Sequence, residues 1–193
     1  MRLIAVFGAL LGWFALLLQF SLLPARSLWQ FLGFFTIWSN IGASALLTQA
    51  ALRPVPQDRR IGLAFAVAIG MVGIIYSAVL RSLWHPRGWQ KIADMCLHDV
   101  MPIVFLVFFL LGRNQGLRWR DASYALVLPL AYCVYALVRG SIDGWYAYPF
   151  LDAGKLGAGM LARNIAGLAA AFLLMALLIV AIAGPAGRLW TSR

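Results

Sequence analysis

Windows of about 20 apolar residues recur along this chain and nearly fill it, and about 20 such residues let an α-helix cross the hydrocarbon of a bilayer. Of the 193 residues, 63% are hydrophobic and 11% are charged, with a mean hydropathy of +0.86. A soluble domain carries roughly 25% charged residues. The pattern therefore predicts an all-α integral membrane protein. It is a single domain over residues 1–193, a bundle of six transmembrane helices at about 3–23, 30–52, 61–83, 92–112, 121–140 and 158–183. Ten-residue alternating segments are missing, which excludes a transmembrane barrel. No internal repeat or low-complexity stretch interrupts the spans.

The formal charge of +10 does not point to nucleic acid, because the basic residues sit singly or in small groups at span ends. Arg2, Arg53, Arg59, Arg60, Arg113, Arg118, Arg120, Arg188 and Arg193 fall on one side of the bundle, nine in all. Seven fall on the other: Arg26, Arg81, Arg87, Lys91, Arg139, Lys155 and Arg163. Arg139 and Arg163 lie at or inside helix ends, which sharpens the bias and places both termini in the cytoplasm. The N-terminal apolar run to Leu23 is longer than a signal-peptide core and lacks a small-x-small cleavage pattern, so it reads as the first span.

Inside so apolar a chain, polar residues are the informative ones, since each must find a partner or cost several kcal/mol. Phe34-Phe35-Thr36-Ile37-Trp38-Ser39-Asn40 interrupts the second apolar run. On a helix Thr36, Ser39 and Asn40 share one face. Thr36 lies about six residues into its span, roughly 9 Å deep at 1.5 Å per residue. His98 and Asn164 lie at matched depth in the fourth and sixth spans. Tyr76 and Ser77 approach that plane from the third, and Tyr135 and Arg139 from the fifth.

An ionisable group within a span is a functional hypothesis. Asp94, four residues before His98, is placed to hold one imidazole nitrogen and leave the other free as a base. Pro102 removes the backbone donor that would normally meet the His98 carbonyl. The bland reading is a structural histidine bonded between helices. Thr36 has one too, since membrane threonines commonly bond back to an i−4 carbonyl. A hydroxyl becomes a nucleophile only beside a base, and His98 is the histidine at matching depth; His85 falls in a loop.

The segment from Ser141 to Gly157 is too long and aromatic for a simple connector. Its aromatics, Tyr146 among them, serve either as interfacial anchors or as a cap over the bundle mouth. Arg139 or Arg163 would then be available to a carboxylate. The chain has no glutamate, and Cys96 and Cys133 form no metal-binding pair. No metal or other cofactor is expected.

Three motifs occur in order: Phe-Phe-Thr-Ile-Trp-Ser-Asn at 34–40, Leu-His-Asp-Val-Met-Pro at 97–102, and Tyr-Ala-Leu-Val-Arg-Gly at 135–140 followed by Gly-Trp-Tyr-Ala-Tyr-Pro-Phe-Leu-Asp at 144–152. With these the chain resembles the bacterial six-span branch of the androgen-induced (androgen-dependent) membrane protein family. Animal members of that family are intramembrane threonine hydrolases of fatty-acid esters of hydroxy fatty acids. The resemblance implies a nucleophilic Thr36, a base at His98, an acyl-threonine intermediate and residence in a bacterial inner membrane. Around that pair the expected supporting or oxyanion groups are Ser39, Asn40, Asp94 and Asn164. The expected substrate contacts are Trp38, Tyr76, Tyr135, Arg139, Tyr146 and Arg163, with a lipid ester as partner. A non-catalytic lipid-binding protein or a small-molecule transporter using the same polar site is the alternative. Transport sites usually lie at the bilayer midplane between repeats, which this pattern does not show.

Overall fold

A computed structural model describes residues 1–24, 26–53, 58–112 and 116–183. Arg113, Arg188 and Arg193, used above to orient the chain, lie outside the described residues. The helices among the described residues are, in order, α1 (Arg2–Ser21), the short α2 (Leu28–Phe31), α3 (Phe35–Leu52), α4 (Arg59–Leu80), α5 (Trp89–Leu111), α6 (Trp119–Asp143) and α7 (Ala153–Ala183), with a 3₁₀ turn between the last two. Among the described residues, α1, α4, α5, α6 and α7 are long and apolar enough to cross a membrane. Helix α3 is 18 residues long and is not among them. Its apolarity is diluted by Thr36, Ser39, Asn40, Ser44, Thr48 and Gln49, and the first four of these are buried.

The bundle is organised around α4, which packs against α3, α5, α6 and α7. Small and branched residues allow this: Leu63, Ala66, Val67, Ala68 and Ile69 are completely buried. On one flank α1 lies along α3, brought close by glycines and alanines. A Cβ on Gly12 would sit 2.1 Å from Ser44 Oγ, so only a bare backbone fits there. The outward faces carry Leu3, Leu10, Leu17, Ile103, Leu174 and Leu178, all exposed. An apolar exterior of that extent suits lipid rather than water.

The first turns of α4 and α6 are tied together at one end. Asp58 caps α4 by accepting from the Arg60 backbone N–H at 2.8 Å. The Arg60 side chain reaches Asp121 at 3.1 Å and stacks on Tyr124. Asp121 also accepts from the Arg118 backbone at 2.8 Å, closing the start of α6.

Three departures from the expected helices shape the other end. The span expected at 30–52 is broken: α2 stops at Phe31, Phe34 is extended (φ −108°, ψ 132°), and α3 begins at Phe35. Thr36 thus lies in the first turn of a helix rather than six residues inside one. The break has partners, since the Gly33 carbonyl accepts from the Tyr132 hydroxyl at 2.7 Å. Second, α4 ends in a π-helical turn, Tyr76–Leu80, and α5 contains another, Cys96–Val100. Third, helix occupies both ends of the segment expected to be loop. Helix α6 runs on to Asp143 and ends at left-handed Gly144. Helix α7 opens at Ala153 and bends at Gly157 (φ 71°, ψ 162°), leaving a loop that carries a 3₁₀ turn, Pro149–Leu151.

Candidate active site

The break before α3 and the two π turns meet at one place. Single π turns recur at functional sites because the extra residue re-aims side chains; here they carry Tyr76 and His98. Pro102 follows the second turn in the first turn of the α-helical stretch Met101–Leu111, leaving the His98 carbonyl without its ordinary donor. Helix α4 closes on that carbonyl through Gly73, where a Cβ would lie 3.1 Å from the oxygen.

Thr36 Oγ1 and His98 Nε2 are 3.2 Å apart. The other ring nitrogen, Nδ1, is 3.0 Å from the Asp94 carbonyl and 3.3 Å from Asp94 Oδ1. Both of those groups only accept, so Nδ1 carries the proton and Nε2 is left to accept from the threonine hydroxyl. The second Asp94 oxygen accepts from the Tyr76 hydroxyl. The Tyr76 ring also stacks on the imidazole, with centroids 4.0 Å apart and planes 17° from parallel. Thr36, Asp94 and Tyr76 are each less than a tenth exposed. The arrangement is a chain running hydroxyl, imidazole, carboxylate, phenol. In a poorly solvated site such a chain holds one tautomer and one ring orientation.

Asn40 locks the two halves together. Its Nδ2 donates to the Thr36 carbonyl at 2.9 Å and to the Leu97 carbonyl at 3.2 Å. Carbonyls only accept, which fixes the amide orientation. Both hydrogens of the Asn40 amide are thereby committed, so it has none left for an oxyanion. Asn164 donates to the Phe150 carbonyl at 3.0 Å and lines neither cavity at the site. Ser39 bonds back to the Phe35 carbonyl at 3.0 Å. The donors that do face the site are the backbone amides of Phe35 and Thr36, in the first turn of α3. They lack intrahelical acceptors, and α3 has no side-chain cap.

Tyr148 stands over those amides. Its phenol interacts with the Thr36 side chain and with the backbone N–H groups of Thr36 and Phe35. Tyr146, the expected contact from this loop, packs its ring on α6 instead, where a Cβ on Gly140 would meet it at 2.1 Å. Alternation along an extended loop could have flagged Tyr148, two residues on, but nothing local says which ring turns inward.

The remaining expected contacts lie to one side. Arg139 is buried, sits between the Trp29 and Trp145 rings at 4.7 and 4.1 Å, and donates to the Trp29 carbonyl at 2.6 Å. Its Nε lies 3.3 Å from Asp143. It clasps the loop and is not free for a carboxylate. Trp38 donates to the Leu32 carbonyl at 2.8 Å, and its ring meets Tyr132 and Tyr135. Arg163 is exposed on α7, 2.7 Å from Met160 Sδ. Of the expected substrate contacts, Tyr76 alone lines the cavities at the site.

Those cavities are two. A narrow crevice of about 50 Å³ runs between α4, α6 and α7, lined by apolar side chains such as Val72, Cys133, Leu168 and Phe172. A wider cavity of about 390 Å³ opens on the other side toward Gln19, Trp84 and Gln90. Thr36, Tyr76, Leu80, His98 and Tyr148 line both. Among the described residues no cluster of three or more His, Cys, Asp or Glu side chains could hold a metal ion. No family model, curated protein or solved structure matches the chain.

Proposed function

We propose that this protein is an intramembrane lipid esterase with Thr36 as nucleophile and His98 as base. The observation that carries the reading is the Thr36 Oγ1–His98 Nε2 pair at 3.2 Å, with Nδ1 held by Asp94, on the wall of both cavities. As His98 Nε2 takes the hydroxyl proton, Thr36 Oγ1 bonds to the ester carbonyl carbon. The tetrahedral intermediate then collapses, the carbon–oxygen bond to the alcohol breaks, and His98 returns the proton to the leaving alkoxide. Water repeats the sequence on the acyl-threonine, releasing the acid. The α3 amides of Phe35 and Thr36 are the natural oxyanion donors once Tyr148 yields, and one such donor contributes about 3 kcal/mol in other enzymes.

The order of the three motifs supports membership of the androgen-induced membrane protein family, with fatty-acid esters of hydroxy fatty acids as the substrate class. On this reading α3 is the sixth span, shielded from lipid by its neighbours. Both termini face the cytoplasm, and the membrane is the bacterial inner one.

A fluorophosphonate probe tests the chemistry. Labelling of the purified wild type that is lost in Thr36→Ala and in His98→Ala is the expected result. Equal labelling of wild type and Thr36→Ala, or none in either, would overturn the assignment.

A further inference from the structure

The catalytic pair does not sit at the bottom of one pocket. It sits where two unlike cavities meet, and five residues, Thr36, Tyr76, Leu80, His98 and Tyr148, belong to the walls of both. An ester likewise has two arms joined at its reacting carbon. We propose that the acyl arm lies in the narrow crevice between α4, α6 and α7, and that the alcohol arm lies in the wider cavity toward Gln19 and Gln90. The inference rests on the esterase reading above.

The assignment of arms follows from what each must do after the first step. The acyl group stays bonded to Thr36, so its arm needs no exit and suits the narrower, apolar crevice. The alcohol must leave and a water must replace it beside His98 Nε2. Both movements need the wider cavity, which is also where the polar side chains are: Gln90 donates to Gln19 at 2.8 Å, and Asp94 lines the wall. Beyond the site residues the crevice is lined mainly by apolar side chains, and the Tyr132 hydroxyl there already donates to the Gly33 carbonyl.

The volumes then make specificity unequal. The crevice offers about 50 Å³, whereas the other side offers about 390 Å³. An acyl arm that lengthens meets the crevice walls sooner, while the alcohol arm grows into space. Leu168 lines the crevice and not the wider cavity. It sets the room available to the acyl arm.

Two measurements test this. In the first, kcat/KM is compared across esters of one alcohol with acyl chains of increasing length, and across esters of one acid with alcohols of increasing length. The acyl series should pass through an optimum and then fall at least tenfold, while the alcohol series changes less than threefold. Leu168→Ala should move the acyl optimum to longer chains and Leu168→Trp to shorter ones. A steep alcohol series with a flat acyl series, or an acyl optimum indifferent to both substitutions, overturns the inference. The second uses the wild-type protein and so does not depend on a variant folding. An alkylfluorophosphonate with a diazirine along its alkyl chain is reacted with Thr36 and photolysed. Crosslinks are expected in α6 and α7, and crosslinks instead in α1 or around Leu83–Gln90 overturn the inference while leaving the esterase reading intact. Failure of any ester or fluorophosphonate to react through Thr36 overturns both.

Discussion

Asn40 reaches from α3 to the backbone carbonyl of Leu97, the residue before His98, at 3.2 Å, while the same nitrogen donates to the carbonyl of Thr36 at 2.9 Å. One buried side chain thus sets the separation of the Thr36 backbone from that of the segment carrying His98. Asn40→Leu should cost about 1–3 kcal/mol by leaving the Leu97 carbonyl unsatisfied. It should also lower ester turnover about 10²-fold, the penalty of displacing reacting groups by roughly 1 Å. Thermal unfolding in detergent and steady-state rates check both. Wild-type kcat in a destabilised variant would refute the positioning role.

Asp94 orients His98 through its side chain and its own carbonyl, while Tyr76 holds the second carboxylate oxygen. Asp94→Asn should therefore slow both fluorophosphonate labelling and turnover by about 10²- to 10⁴-fold, since an amide turned the wrong way stabilises the wrong tautomer. Tyr76→Phe should act in the same direction but less, about tenfold, because the carboxylate remains. Equal losses for the two would mean that the phenol contacts the substrate directly.

Arg139 holds the 144–152 loop by stacking between Trp29 and Trp145 and by bonding the Trp29 carbonyl. Lysine cannot reproduce a planar guanidinium in such a sandwich. Arg139→Lys should cost about 1–3 kcal/mol and expose the loop to limited proteolysis near Trp145. A proteolytic pattern unchanged from wild type would show that the loop is held by other contacts.

Gly12 lies against Ser44, with no room for a methyl group. Gly12→Ala should force α1 away from α3 and lower stability by about 1–3 kcal/mol, as overpacking does elsewhere. The midpoint of thermal unfolding is the readout. A rise in that midpoint would mean that the helices have slack.

Asp152 shows how the loop rejoins α7. Its carboxylate accepts from the Lys155 backbone at 3.2 Å and pairs with the Lys155 ammonium at 2.9 Å. The same lysine holds that carboxyl below the usual range. Whatever this junction contributes is present above the ordinary carboxylate pKa and is lost as pH falls through the lowered one.

Much of this protein was legible in its residues. Apolar windows of bilayer length predicted an all-helical bundle of six spans, and among the described residues five helices are long and apolar enough to cross a membrane. The pairing of Thr36 with His98, and of His98 with Asp94, followed from depth and helical spacing, because polar groups in an apolar span must find one another. What tertiary structure alone decided was geometry that no periodicity encodes. The second apolar run reads as one continuous helix. Its break at Gly33 depends on Tyr132 and Arg139, about a hundred residues away, and that break puts Thr36 in a first turn whose amides lack intrahelical acceptors. The π turns at Tyr76 and His98, the inward turn of Tyr148 in place of Tyr146, and the commitment of Asn40 and Arg139 to backbone carbonyls were settled likewise. Local sequence fixes which side chains are polar, whereas long-range packing decides which of their hydrogen bonds are already spent.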